Sequence, residues 1–580
     1  MMKMAMSLIL MLLFTLLFAG FEADALTYDY SASIECLENP WKPLYDGGII
    51  VNPELNLGLE GWHPIGDAKI EHKQSALGNK FIVARGRNQS FDGASQKIYL
   101  KKNMIYAFSA WIQVSQGKAP VTAVFKTTTG AQHAGAVVAE SKCWSMLKGG
   151  LSVDESGPAE LYFESDNISV DIWVDSISLQ PFTQKEWSSH QEQSIQKIRN
   201  TNMRVQAVDA EGNPLPNATI SISQKASGFP FGCAINKNIL NNQAYQNWFT
   251  SRFKVTTFED EMKWYSTEPS QGREDYSVAD AMLNFAQQHG VAVRGHNVLW
   301  EDPQYQAGWI YNLSPSDLYN AAVRRLTSIM TRYKGKLIAW DVVNENLHFS
   351  FFESKLGATI SAYIYKLAGG VDSRTPLFLN EFNTIEDSRD GKSVPVKYLG
   401  KLREIKGFRG NGDLNIAIGL ESHFGVPNIP YVRASLDTLA AAKVPIWITE
   451  LDVLSNPNQA QFLEQILREV HSHPAVNGIV IWGAWKPGGC YRMCLTDNNF
   501  KNLPTGDVVD KLLREWGINK AFEVSTDSEG FYESSLPHGD YEAKITHSTL
   551  FESSPGHTFK VTSTSSSKQQ SMPVVLQVPA

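Results

Sequence analysis

Two glutamates in this sequence have neighbours suited to acid–base chemistry. Glu345 follows Asn344 near the end of the run LIAWDVVNEN, and Glu450 lies near the end of PIWITELD, about a hundred residues further on. A carboxylic acid that protonates a leaving oxygen, paired with a carboxylate that attacks the anomeric carbon, is the machinery for cutting a glycosidic bond. The two groups must differ in pKa, and apolar surroundings with a nearby negative charge raise one of them. Trp340 and Val343 near Glu345, and Trp447 and Ile448 before Glu450, are apolar neighbours along the chain. A single glutamate at a strand end is more often a helix cap or a partner of arginine. The pair, with an asparagine beside one member and histidines on intervening runs, points to chemistry instead.

Such residues need a scaffold that brings them together. From Cys233 to Trp482 eight short apolar runs occur: FGCAIN, KVTTFEDE, VAVRGHNVLW, LIAWDVVNEN, PLFLNEFN, IAIGLESHF, PIWITELD and IVIWGAW. Most of the gaps between them carry helical periodicity, as in SDLYNAAVRRLTSIMTRY and QAQFLEQILREVHS. Strand alternating with helix predicts a parallel sheet, and eight repeats predict a closed ring. No glycine-rich phosphate loop follows the first run, which disfavours an open doubly wound sheet. The expected fold class is therefore α/β, with a (β/α)8 TIM barrel over residues 230–516. Catalytic groups of such barrels gather at the C-terminal ends of the strands. Those positions hold Glu259, His296, Glu345, Asn380, His423, Glu450 and Trp482.

Residues 45–182 alternate apolar and polar positions with little helical periodicity, which predicts an N-terminal β-sandwich. The polar stretch 183–200 predicts a helical linker. Segments 201–225 and 520–580 both alternate around Asp/Gly turns, so they are expected to form one small β domain whose halves flank the barrel. Within the sandwich, Trp62, Tyr162 and Glu164 are candidate sugar contacts, since aromatic faces stack on sugars and carboxylates accept from their hydroxyls. Core packing is an equally good reading of the two aromatics.

The composition of the 580-residue chain excludes some partners. With 52 basic and 60 acidic residues the formal charge is −8, which argues against nucleic acid or an anionic membrane surface. Residues 1–25 have Lys3, an apolar run at 8–18 and Ala23-Asp24-Ala25, the pattern of a secretory signal peptide. The run is shorter than the ~20 residues of a span, and nothing later is apolar enough to cross a bilayer. The mature protein is expected to be secreted, extracellular, and free of the membrane once the signal is removed. Four sequons, at Asn88, Asn167, Asn217 and Asn312, are compatible with a glycoprotein. Five cysteines make one odd thiol, and buried Cys233 is the expected one. Cys490 with Cys494, and Cys36 with Cys143, could form bridges, with reduced thiols as the alternative.

The strings FEDEMKW, RGHNVLWED, WDVVNEN, NEFN, GLESHF, ITELDV and IWGAWKP, in this order, resemble the motifs of glycoside hydrolase family 10 endo-β-1,4-xylanases of plant type. The sandwich, through NPELNLGLEGW, GRNQSFDG and ELYFES, is similar to the family 22 carbohydrate-binding module. The resemblance implies a retaining endo-xylanase with Glu345 as acid/base and Glu450 as nucleophile. It makes Asn344 a partner of the sugar 2-hydroxyl and His423 the group that orients Glu450. Glu259, Lys263, His296 and Trp300 would line the non-reducing side of the cleft, and Trp482 would lie under the ring being cleaved. No cofactor and no metal are implied, and the expected partner is xylan in a plant-type cell wall, met by a monomer. Transglycosylation on the same carboxylates, another strand-4/strand-7 glycosidase, and a wall-binding scaffold that no longer cleaves stay open. The sequence departs from the family at Asp260, Glu301, Phe382, Glu421 and Cys490, where the family usually has Asn, His, Tyr, Gln and Trp. Glu421 is thus an extra carboxylate among the expected substrate-binding residues.

Overall fold

The computed structural model describes residues 26–548, 554–563 and 574–578; the expected signal peptide lies outside the described residues. Eight parallel strands form the predicted barrel: β1 (Phe231–Cys233), β2 (Val255–Thr257), β3 (Ala292–Trp300), β4 (Ala339–Asn344), β5 (Leu377–Glu381), β6 (Ile416–Leu420), β7 (Ile446–Val453) and β8 (Val476–Ile481). The ring closes where β1 pairs with β8, Gly232 opposite Val480. These strands are buried on both faces, inside the barrel and under the helices, so they read as continuous apolar runs rather than alternating ones. Ala339, Phe378, Ala417 and the partly buried Trp447 pack together as one layer. Arg294 and Asp341, fully buried, pair at 2.7 Å, with the guanidinium over the Phe378 ring.

The N-terminal region is a sandwich of two five-stranded antiparallel sheets. One runs in the order His63–Ile65, Gly93–Leu100, Gly157–Glu164, Lys118–Thr127, Gly130–Glu140; the other runs Lys69–Gln74, Lys80–Arg85, Ile172–Thr183, Met104–Val114, Ser145–Ser152. Along Met104–Val114 the side chains of Tyr106, Phe108, Ala110 and Ile112 enter the sandwich core. The opposite face, at Ile105 and Ala107, packs with Tyr28, Phe182 and Trp187. That second layer explains why apolar residues occupy both faces of this strand. Cys36 and Cys143 are bridged, as are Cys490 and Cys494, while Cys233 is a buried free thiol.

The segment after the sandwich is a helix, Gln184–Arg199, whose start is fixed by a capping box between Thr183 and Glu186. It is docked on the barrel rather than suspended between domains. Trp187 Nε1 and Gln191 Nε2 each donate to Glu469 Oε2 at 2.8 Å. Arg433 Nη2 donates to the same oxygen at 3.0 Å. A second buried cluster fastens the sandwich: Lys148 Nζ lies 2.7 Å from Asp437, which also accepts from Tyr28 at 2.7 Å.

The segments on either side of the barrel pair with each other. Asn200–Val208 lies between Phe531–Pro537 and Val574–Gln577, and Thr219–Ser227 lies between Ala521–Ser525 and Gly539–Thr546. Val205 is opposite Tyr532, and Gln224 opposite Tyr541. The barrel is therefore an insertion between two halves of a small β domain. Among the described residues no helix is long and apolar enough to cross a membrane.

Removing Glu469 leaves the Arg433 guanidinium buried without its counter-charge. Glu469→Ala is expected to lower stability by about 3–5 kcal/mol in denaturant unfolding. Hydrogen exchange should show protection lost first in the helix Gln184–Arg199.

Candidate active site

The site is built where the strands end. After Asn344 the chain turns through a left-handed residue, Glu345 itself (φ 56). This conformation costs energy for a residue with a Cβ and persists only where surroundings hold it; here the Glu345 N–H donates to Asn380 O at 2.9 Å. Glu450 lies within β7, and its N–H donates to Glu421 O at 3.0 Å. The side chains of these strands meet at the amide of Asn380. Its Nδ2 lies 3.0 Å from Asn344 Oδ1, 2.9 Å from Glu450 Oε1 and 3.1 Å from Glu421 Oε1. Thr449 Oγ1 donates to its Oδ1 at 2.6 Å, which fixes the amide's orientation. Gly419 on β6 leaves the room: a Cβ there would lie 2.5 Å from Asn380 Oδ1. Asn344 Nδ2 in turn is 3.4 Å from Glu345 Oε1. Two amides thus bridge the two catalytic candidates.

Their surroundings push the two carboxyl groups apart. Burial raises Glu345, and the charges of Glu381, Glu450 and Asp302 add to it, bringing the group to about 8. Burial also disfavours the charged form of Glu450, but His296, His423 and Lys263 outweigh it and hold the group at about 2. His423 Nε2 is 3.7 Å from Glu450 Oε2, and its Nδ1 is 3.1 Å from Asp452 Oδ1. Burial opposes the charge on His423, yet Asp452, Glu421 and Glu450 raise it well above the usual imidazole range. His296 Nδ1 lies 2.9 Å from Asp341 Oδ2, so the buried Arg294–Asp341 pair beneath the site orients the ring beside Glu450. Between pH values near the two limits, one carboxyl is an acid and the other an anion.

Both glutamates line an open cleft of about 370 Å³. Glu259, Lys263, His296, Trp300, Asn344, Glu421, His423 and Trp482 line the same cleft. Lys263 Nζ lies 4.5 Å from the Trp300 ring centre and 5.8 Å from that of Trp482. Trp300 stacks on Tyr305 with centres 4.3 Å apart, and Glu259 pairs with Lys486 at 2.7 Å. Half-buried rings beside polar groups are what a sugar ring needs, apolar on its faces and hydroxylated at its rim.

Several contributors were not singled out in the sequence, and Phe382 was marked there only as a departure from the family pattern. Phe349 and Phe382 form part of the cleft wall, and His348 stacks on Phe382 at 3.7 Å while bridging Glu381 and Asp390. Arg492, in the loop closed by Cys490–Cys494, pairs with Asp452 at 2.7 Å. Local signals were Arg294, two residues before His296, and Asp341, four residues before Glu345. The departures separate into two kinds. Glu301 does not line the cleft: it is fully buried, and its Oε2 accepts from the Phe352 N–H at 2.7 Å, capping the next short helix. Asp260 is held by Tyr265 Oη at 2.8 Å. Trp485 is 7% exposed and packs on Tyr245, so it does not replace the tryptophan missing at Cys490. Glu421, in contrast, is inside the site.

In the sandwich the structure corrects one expectation. Trp62 is 3% exposed within the core of the module; its face is used against neighbouring side chains and is closed to sugar. Tyr162 and Glu164 share the outer face of the first sheet, but the tyrosine ring is nearly covered. Glu164 is more open and lies 3.8 Å from His133 Nε2.

A family model described as Glycosyl hydrolase family 10 matches residues 220–505, and one described as Carbohydrate binding domain matches residues 47–168. The chain is 40% identical over 554 residues to Endo-1,4-beta-xylanase 5-like of Arabidopsis thaliana, covering 94% of each. It is 40% identical over 563 residues to Endo-1,4-beta-xylanase 5 of the same plant, covering 95% of each. Among solved structures, xylanase 10B from Thermotoga petrophila RKU-1 in complex with xylobiose is 22% identical, with a TM-score of 0.44 over 50% of this chain and 94% of that one. Identity sustained over nearly the whole length of such relatives, together with the family match across the barrel, shows that this protein belongs to glycosyl hydrolase family 10 and carries a carbohydrate-binding domain ahead of its barrel.

Proposed function

We propose that this protein is a secreted endo-xylanase that hydrolyses internal β-1,4-xylosidic links with retention of configuration, aided by a family 22 module that binds xylan. The observation that carries the reading is two carboxyls lining one cleft and joined through the amides of Asn344 and Asn380, in surroundings that raise Glu345 and lower Glu450. In the first step Glu450 attacks the anomeric carbon as Glu345 gives its proton to the departing oxygen. In the second, Glu345 takes a proton from water, which displaces Glu450 from the sugar. Asn344, tied to Asn380, is poised to bond the 2-hydroxyl more tightly in the transition state than in the ground state. The relatives named endo-1,4-beta-xylanases, similar along almost the entire chain, support xylan as substrate. Secretion rests on the leader-like residues 1–25 and the sequons.

Glu450→Gln is expected to reduce release of reducing ends from xylan by roughly 10⁴-fold or more, while nuclear magnetic resonance of wild-type products shows the retained anomer first. An inverted first product removes Glu450 as nucleophile. Glu345→Gln should lose ~10²-fold or more on xylan, and much less on an aryl xyloside whose phenol leaves without protonation.

The sign of the pH dependence follows from the same two groups. Activity requires ionised Glu450 and protonated Glu345, so kcat/KM should fall as pH drops toward about 2 and as it rises through about 8. The part of the alkaline fall that comes from Glu345 should be lost on the activated aryl substrate, where the acid is not needed for the first step.

A further inference from the structure

Glu421 stands where the resemblance leads one to expect an amide. It is 2% exposed, and counting donors around it shows what state the site can hold. The Asn380 amide has two N–H bonds but faces three acceptors within 3.1 Å: Asn344 Oδ1, Glu421 Oε1 and Glu450 Oε1. Its orientation is fixed by Thr449, so turning the amide supplies no further donor. On the other side a single His423 Nε2 lies between Glu421 Oε2 at 3.6 Å and Glu450 Oε2 at 3.7 Å. One oxygen from each glutamate and a nitrogen of His423 lie within 4.8 Å of one another. Two carboxylates this close and this buried do not both stay charged, and the protein offers too few N–H groups to satisfy both.

We propose that Glu421 works as a neutral carboxylic acid, a positioning residue whose proton supplies the missing hydrogen bond at the nucleophile Glu450. It reproduces the donor and acceptor of an amide, but with a proton that can be lost. The ionisable groups facing this cluster are Lys263 beyond β2, His296 on β3, Glu345 beyond β4, Glu386 beyond β5, Glu450 and Asp452 on β7, Arg492 paired with Asp452, and His423 in its own segment. The positive members favour the ionised form of Glu450, which His296, His423 and Lys263 all approach, and so leave the proton on Glu421. Burial and the negative charge of Glu450, joined by Glu345 whenever that group ionises, push Glu421 upward and outweigh the opposing pull of His423. The proton of Glu421 stays in place through both chemical steps; the leaving oxygen is served by Glu345 alone. Loss of that proton puts a second negative charge beside Glu450 and removes its donor.

This inference rests on Glu450 being the nucleophile, and its test separates the two. Infrared difference spectra of wild type against Glu421→Gln, taken near neutral pH without substrate, should show loss of one protonated-carboxyl band. A corresponding Glu345→Gln difference should show a separate band. The alkaline limb of kcat/KM on xylo-oligosaccharides should approach a two-proton slope in wild type and a one-proton slope in Glu421→Gln. Glu421→Ala should lower kcat roughly ten- to a hundredfold, with Glu421→Gln recovering most of that loss. If Glu421→Gln leaves both the infrared spectrum and the alkaline slope as in wild type, Glu421 is ionised and the proposal fails. The infrared result stands whatever Glu450→Gln does to activity, so failure of the nucleophile assignment is read separately.

Discussion

Hydrogen bonding between β1 and β8 turns a row of parallel strands into a ring, and only in a ring can residues a hundred positions apart share one amide group. An open sheet would place the ends of β4 and β7 several strands from each other, with side chains aimed in parallel. Closure tilts the ends inward over a common centre, where Asn380 on β5 reaches Asn344, Glu421 and Glu450. Everything chemical about the cleft follows from that convergence. The carboxyls feel one another's charge, the histidines reach the nucleophile from two sides, and burial acts on all of them.

Beneath and beside the site, buried charges serve position more than stability. Arg294–Asp341 under His296, Arg433–Glu469 under the connecting helix and Lys148–Asp437 beneath the sandwich are all closed to solvent. Each ion loses hydration on burial, so the attraction between partners is largely offset. What remains is directional: a charged group with its partner displaced is very unfavourable, so alternative packings are excluded. The carbohydrate-binding domain is thereby attached in one orientation, and His296 in one rotamer.

The barrel was legible because its signal is repetitive. Eight apolar runs with helical gaps and polar residues at their ends leave few other folds, and the strand-end rule picks out Glu345, Glu450, His296, His423 and Trp482, which line one cleft. The rest was hidden for definite reasons. Asp341 and Arg294 lie in the middle of apolar runs, where charge looks like noise until the barrel interior is known. His348 and Arg492 come from loops, whose paths depend on contacts with other loops and on the Cys490–Cys494 bridge. Trp62 shows the converse limit. An aromatic near a turn has the same spelling whether its face is open or closed, and here the sandwich core takes it. Glu301 and Glu421 look alike as departures in sequence, and only the fold shows one capping a helix and the other beside the nucleophile.

The insertion of the barrel into the small β domain has a cost in time. Strand Asn200–Val208 emerges from the ribosome long before its neighbour: Gln206 and Glu529, bonded in the finished fold, are 323 residues apart. At translation speeds of ~5–20 residues per second, its edges wait roughly 15 to 65 seconds for a partner. Unpaired edges are templates for association with other chains. The nascent polypeptide must therefore complete the barrel first, and a delay in that step leaves a sticky strand exposed while synthesis goes on.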